Sequence, residues 1–187
     1  DSIARDLGVY GGALLHLCLR NLVSSNARLR ARSFAVISAL APLGFGAAAT
    51  PDDATHLRLA SHRSGIKSHE TLTYETHAFA VSEIVAGCCR PLTIALFSHA
   101  FSTAATMGVD QKRKTLRYLA PWCENVVLAE AAFRVSGSGM DMSLDTFVAA
   151  PFRDFAIDLA AAGHMQTLTN FWMRLVRRSP EANVPVI

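Results

Sequence analysis

The chain has 187 residues, of which 51% are hydrophobic and 18% are charged, and its formal net charge is +3. This composition excludes a disordered chain, because it supplies enough apolar side chains for a core. The mild positive charge argues against a dedicated nucleic-acid-binding protein. With only 7 prolines and 11 glycines, the sequence leaves room for long helices.

The two ends of the sequence suggest a segment of a longer protein. The chain begins at Asp1 and its last four residues, 184–187, are apolar. No signal peptide precedes the first predicted helix. The most apolar stretch, residues 34–49, is shorter than the roughly 20 residues that a bilayer requires. Since Pro42, Gly44 and Gly46 also interrupt it, we expect a buried helix and a turn, and no membrane span.

In chain order, the first two predicted helices carry apolar residues at three- and four-residue spacings. The apolar face of the first contains Leu7, Tyr10, Leu14, Leu17 and Cys18. Asn26 is the expected N-cap of the second helix, which ends near Pro42 and has apolar positions at Leu29, Ala35, Val36, Ile37 and Leu40. Residues 50–73 lack periodicity, so we expect a long loop there, either mobile or facing a partner.

Helical patterns resume after this loop, over residues 76–89, 91–107 and 110–120. Pro91 fits a first helical turn, and Asp110 fits a cap. Pro121 either closes the third helix or opens a short one that reaches Leu128, and residues 136–141 form a Gly- and Ser-rich turn. The last pair, 151–162 and 166–178, is joined at Gly163. Its second helix has an apolar stripe made of Leu168, Phe171, Trp172, Leu175 and Val176.

No alternation typical of strands is evident in the sequence. The predicted fold class is therefore all-α, with antiparallel helix pairs stacked as a HEAT/armadillo-like α-solenoid. We expect one segment over residues 1–187, with the long loop at about 50–73 and the Gly/Ser turn at about 136–141. Trp122 and Trp172 are expected to anchor neighbouring helices in the core.

The residues that could carry chemistry form no catalytic pattern in the sequence. The four cysteines, Cys18, Cys88, Cys89 and Cys123, include no CxxC pair, so we interpret them as reduced, buried thiols of an intracellular protein. His62, His69 and His77 are spaced more widely than the ligand pairs of zinc sites. There is no GxSxG, P-loop or GxGxxG motif. We therefore expect no catalytic residues, no metal and no cofactor.

Two basic clusters lie on predicted helices. Arg28 and Arg32 share one helix face, as do Arg113 and Arg117. Solvated outer faces are the simpler interpretation, and a docking surface for an acidic partner is the alternative. Nucleic-acid binding would require all four arginines on one continuous face.

One stretch carries a resemblance to a known family. Residues 114–128 read KTLRYLAPWCENVVL, which resembles the L-x-Y-L-x-P-W-x-x-N-x-x-L signature of Furry-type cell-morphogenesis proteins. The matching positions are Leu116, Tyr118, Leu119, Pro121, Trp122, Asn125 and Leu128. Residues 170–184, NFWMRLVRRSPEANV, are similar to a second segment of the family at Trp172, Leu175 and Asn183. The acidic residue that the family has in a helix upstream of this signature is replaced by His99.

The resemblance implies a large HEAT/armadillo-like scaffold that acts with NDR-family kinases and their Mob co-activators in cell polarity and morphogenesis. It implies no catalytic residue, and it makes the motif positions structural. The implied location is the cytoplasm, at the cell cortex or sites of polarised growth, and the implied partners are proteins, not nucleic acid.

Two other functions remain open at the level of sequence. A small helical enzyme or ligand-binding domain would bring His62 or His69 of the loop towards Cys89 or Glu83. A nucleic-acid-binding helical repeat would use Arg28, Arg32, Arg113 and Arg117.

Overall fold

A computed structural model of the chain describes residues 2–41, 59, 62–63, 71–129, 132–135, 141–143 and 150–177. Helices make up most of this part, so the helical fold class is confirmed. Its seven α-helices are α1 (Ser2–Leu22), α2 (Ala27–Leu40), α3 (Thr71–Cys88), α4 (Thr93–Ser102), α5 (Val109–Leu119), α6 (Ala150–Ala161) and α7 (Met165–Val176). Apart from residues 59, 62–63 and 71–73, the predicted loop at 50–73 lies outside the described residues.

The first helix buries a different face from the predicted one. Tyr10 is 70% exposed, Leu17 is 51% exposed, and Leu14 is exposed as well, whereas Cys18 is buried; the side chain of Leu7 lies outside the described residues. Other side chains that α1 buries are Leu15, His16, Leu19 and Leu22. The reason is Gly12, where a β-carbon would lie 2.5 Å from the Cβ of Ala95 on α4. This close approach sets the rotation of α1 about its axis.

The N-cap of α2 is confirmed. The Oδ1 atom of Asn26 accepts hydrogen bonds from the backbone amides of Arg28 and Leu29, at 3.0 Å and 3.2 Å. These bonds satisfy two amides that have no partner within the helix.

The buried face of α2 is only partly the predicted one. It consists of Arg30, Ser33, Phe34, Ile37 and Leu40, whereas Leu29, Ala35 and Val36 are exposed. Arg30 is buried because its guanidinium donates to the carbonyl oxygen of Ser24 at 2.6 Å and lies 3.9 Å from the ring centre of Tyr74.

The middle of the chain is more broken than predicted. The helix α3 begins at Thr71, five residues before its predicted start. Two 3₁₀ turns, Arg90–Leu92 and Ala104–Thr106, flank α4, so the predicted helix over 91–107 is three pieces. The N-cap of α5 is Gly108, and Asp110 lies in the first turn, where a carboxylate stabilises the helix dipole.

A three-stranded antiparallel sheet follows α5, which the sequence pattern does not predict. A 3₁₀ helix, Ala120–Asn125, leads into β1 (Val126–Ala129), which pairs with β2 (Ala132–Val135), and β2 pairs with β3 (Asp141–Ser143). The predicted short helix to Leu128 is therefore wrong: Leu128 lies in β1, opposite Phe133. The predicted Gly/Ser turn lies outside the described residues except for Asp141, which begins β3.

The last two helices are joined at Gly163, as predicted. Gly163 has φ +79°, the left-handed conformation that glycine adopts at little cost. Its amide bonds the carbonyl of Ala160 at 3.0 Å, and the amide of His164 bonds the carbonyl of Leu159 at 2.8 Å. These two bonds form a Schellman motif that ends α6.

The helix α5 lies at the centre of the packing. It contacts α1, α3, α6 and α7, while α1 packs mainly against α2 and α4. Within the described residues no single helix has the length and apolar character to cross a membrane. The segments Leu72–Cys88 and Arg90–Ser102 meet these criteria only when taken together, and they are bent by 108°.

Candidate functional site

A groove with a volume of about 870 Å³ lies between α3, α5 and α7. Because α3 and α7 both pack on α5, the groove has one wall formed by α3 and α5 and an opposite wall formed by α7, with apolar side chains between them as its floor. We call it the arginine groove. Its lining residues are Thr76, Phe79, Arg113, Leu116, Arg117, Ala120, Thr167, Asn170, Phe171, Met173, Arg174, Val176 and Arg177.

The wall that α3 and α5 share is held by a charge cluster. The carboxylate of Glu75 is 4% exposed and accepts two bonds from Arg113, at 2.9 Å and 2.6 Å. It accepts a third from Arg117, at 2.7 Å. Arg113 also donates to Asp110 at 3.0 Å, and Lys114 pairs with the other oxygen of Asp110 at 2.6 Å. Two-point pairing of an arginine with a carboxylate fixes direction as well as distance.

This cluster determines the charge states of its members. Burial alone would raise the pKa of Glu75, but bonding to Arg113 and Arg117 lowers it below its usual value. Bonding to Lys114 and Arg113 lowers the pKa of Asp110 despite its partial burial, and bonding to Glu75 raises the pKa of Arg113. Glu75, Asp110 and Arg113 are therefore ionised at neutral pH.

The opposite wall carries Arg174 and Arg177, three residues apart on α7. The guanidinium of Arg174 lies 5.3 Å from the ring centre of Phe79 and 3.5 Å from a carboxylate oxygen of Glu124. Arg177 is exposed and forms no ion pair with any residue that the structure describes. Arginines thus line both sides of a floor that contains Phe79, Leu116 and Phe171.

The four arginines predicted as partner-facing fall into two different environments. Arg28 and Arg32 lie exposed on α2, whose main contact is with α1. Arg113 and Arg117 are half-buried in the arginine groove and are bonded to Glu75. The sequence does not indicate that Arg113 and Arg117 pair with Glu75. It also does not indicate that they line the same groove as Arg174 and Arg177.

The residues of the Pro-Trp stretch lie in the core. Trp122 is fully buried, and its indole Nε1 donates to Ser82 Oγ at 2.8 Å, while Ser82 donates to the carbonyl of Tyr118. The amide of Asn125 donates to the carbonyl of Ala86 at 2.9 Å and to Thr93 Oγ1 at 3.1 Å. The stretch therefore joins α3, α4 and α5.

The remaining motif positions are mostly part of the same core. Leu116, Leu119, Pro121 and Leu175 are buried. Trp172 is half-buried and stacks on Phe152, with ring centres 6.0 Å apart. The side chain of Leu128 and the whole of Asn183 lie outside the described residues.

The histidines and cysteines form no shared site in the described part of the chain. The carbonyl of His62 is 2.7 Å from His77 Nε2, and His69 lies outside the described residues. Burial, together with His99 and Arg20, lowers the pKa of His16 to about 4. Cys18, Cys89 and Cys123 are buried free thiols, and Cys88 is half-buried. Among the described residues, no group of three or more metal-binding side chains converges.

The groove residues that the sequence interpretation missed are Glu75, Phe79, Asn170, Arg174 and Arg177. A signal for some of them exists, because Arg113 and Arg117 border Leu116, and Arg174 and Arg177 border Phe171 and Val176 on their helix wheels. An arginine beside an apolar stripe on a helix indicates where a groove lined by both kinds of side chain could form.

No protein-family model matches the chain, and no curated protein or solved structure matches it.

Proposed function

We propose that this chain is a non-catalytic helical scaffold segment that holds a protein partner in the arginine groove. The observation that carries the proposal is the combination of an apolar floor with arginines on both walls. Arginine and large apolar side chains are the residues that contribute most at protein interfaces. A catalytic role has less support, because three buried ionisable side chains are already bonded. Glu75 pairs with Arg113 and Arg117, Lys112 pairs with Asp158, and the hydroxyl of Tyr118 bonds that of Thr115.

We also propose that the helices belong to a HEAT/armadillo-like solenoid of the Furry type. Two features support this assignment. Two pairs of consecutive helices are joined by short connections, 23–26 between α1 and α2 and 162–164 between α6 and α7. The Pro-Trp stretch that resembles the family signature packs as a joint between helices. The partners would then be an NDR-family kinase or its Mob co-activator, in the cytoplasm or at the cell cortex.

The test is direct binding of the chain to a purified NDR-family kinase and to a purified Mob protein. The informative variant combines Arg174→Glu with Arg177→Glu, which reverses the charge of one groove wall without touching Glu75. The matched control combines Arg28→Glu with Arg32→Glu on α2. We expect binding to the unaltered chain and to the control, and loss with the groove variant.

Each result has a distinct meaning. Absence of binding by both partners would overturn the kinase-pathway assignment. Equal weakening by the two double variants would indicate a general charge effect and would overturn the role of the groove. Circular dichroism of each variant establishes that the helices are intact.

A further inference from the structure

The walls of the arginine groove limit the kinds of ligand it can hold. Its walls are helices, in which the interior backbone amides and carbonyls bond each other. The last carbonyls of α7 have no partner within the helix, so the hydrogen-bond donors left for a ligand are side chains, namely Thr76, Thr167, Asn170 and the arginines. An extended peptide needs backbone partners, as at a sheet edge, whereas a helical ligand satisfies its own backbone.

The floor determines which face of such a ligand would contact the groove. Leu116 and Phe171 are fully buried at its base, so the apolar surface that a ligand can reach is that of half-buried Phe79 and Val176 and of exposed Met173. A volume of about 870 Å³ admits several apolar side chains from one face of a helix, at positions i, i+3 or i+4, and i+7. The ligand is therefore amphipathic, with its apolar face on these side chains.

The charges determine the sign of the ligand's polar face. Arg113 is bonded to Glu75 and Asp110, so its guanidinium group is held in one position. Arg117 gives Glu75 a single nitrogen. Among the described residues, Arg174 contacts the ring of Phe79 and, at 3.5 Å, the carboxylate of exposed Glu124. With Arg177, these side chains present guanidinium groups that carboxylates can engage in two-point pairs.

We propose that the arginine groove binds an acidic amphipathic helix of a protein partner. Its apolar face lies on Phe79, Met173 and Val176, and its carboxylates pair with Arg117, Arg174 and Arg177. This inference rests on the proposed function and names the element that the partner supplies.

The probe for this inference is a fluorescein-labelled peptide of about 18 residues, or five helical turns. It carries leucine at i, i+3, i+4 and i+7 spacing and glutamate beside the leucines. Three matched peptides share its length: one with lysine for every glutamate, one with the same composition in scrambled order, and one with a central proline that breaks the helix. Binding to the intact chain is measured by fluorescence anisotropy.

We expect the acidic helix to bind and each matched peptide to bind at least about tenfold more weakly, since charge reversal at an interface juxtaposes like charges. The Arg174→Glu, Arg177→Glu double variant should lose about tenfold or more in affinity. The Arg28→Glu, Arg32→Glu control should bind like the unaltered chain. Arg117 is left in place because its pairing with Glu75 contributes to the fold.

Equal binding of the proline-broken or the scrambled peptide would overturn the helical ligand. Tighter binding of a single-stranded oligonucleotide than of the acidic peptide would assign the groove to nucleic acid and would also overturn the inference. Groove-dependent binding of the acidic peptide supports the inference even where no NDR-family kinase or Mob protein binds. Such a result would overturn only the proposed kinase partners.

Discussion

Gly12 of α1 lies directly against Ala95 of α4, and a β-carbon at position 12 would approach the backbone of Ala95 and Leu96 as well as the Ala95 side chain. Because backbone atoms cannot move aside cheaply, Gly12→Ala should lower the free energy of unfolding by about 1–3 kcal/mol or more. Urea unfolding measures this change.

The matched control for that substitution is Gly87→Ala on α3, where a β-carbon would meet no atom within 4 Å. This variant should be unchanged or up to about 1 kcal/mol more stable, because alanine loses less backbone entropy than glycine in a helix. Equal effects at both positions would contradict the close packing of α1 on α4.

Replacement of Ser82 tests the core joint behind the Pro-Trp stretch. Ser82→Ala removes the acceptor of the Trp122 indole and the donor to the Tyr118 carbonyl. Leaving buried polar groups unpaired costs about 1–3 kcal/mol, and thermal unfolding should show this loss. Ser102→Ala, which removes an exposed hydroxyl bonded only to the carbonyl of His99, should change stability by less than about 0.5 kcal/mol.

Stability should depend on pH through Glu75. Its pKa in the folded chain lies below the unfolded value near 4.5, so its contribution is complete above that pH and is lost as pH falls through the folded-state pKa. Glu75→Gln should lower the free energy of unfolding at pH 7 by about 2–3 kcal/mol.

The difference between wild type and Glu75→Gln should shrink on acidification through this range, in urea titrations at successive pH values. Glu83→Gln, an exposed position on the same helix, is the control and should behave like wild type throughout. A constant difference between wild type and Glu75→Gln would mean that the glutamine variant disturbs packing and not charge.

The orientation of α1 gives a further prediction. Leu19→Ala should destabilise the chain by about 2–5 kcal/mol because Leu19 is fully buried. Leu17→Ala, two residues away on the exposed side, should cost less than about 0.5 kcal/mol. The reverse order would place the sequence-predicted face of α1 in the core.

Features that depend on neighbouring residues could be predicted from the sequence. The cap at Asn26, the glycine joint at 163 and the apolar stripe of α7 are determined within a few residues of each position. The burial of Trp122 could be predicted because large rings rarely remain exposed.

Features that depend on distant residues could not be predicted. Apolar residues occupy several sides of α1, and the side that is buried is selected by its packing on α2 and α4, including the contact of Gly12 with Ala95 far along the chain. The strand β1 needs β2 as a partner, and its four residues carry too short a pattern to indicate it. Likewise, Arg113 and Arg117 meet Glu75 across 38 and 42 residues of sequence, so their basic cluster alone suggested a solvated face.

The distribution of the cysteines has a practical consequence for measuring motion. Burial raises the pKa of Cys18 to about 11 and also raises that of Cys123, so both thiols are protonated and shielded from solvent in the folded chain. A thiol-specific reagent should modify half-buried Cys88 first, and should reach Cys18 and Cys123 only when their surroundings open. The modification rates of Cys18 and Cys123 would then report separately how often α1 and the segment behind Trp122 leave the core, without any added label.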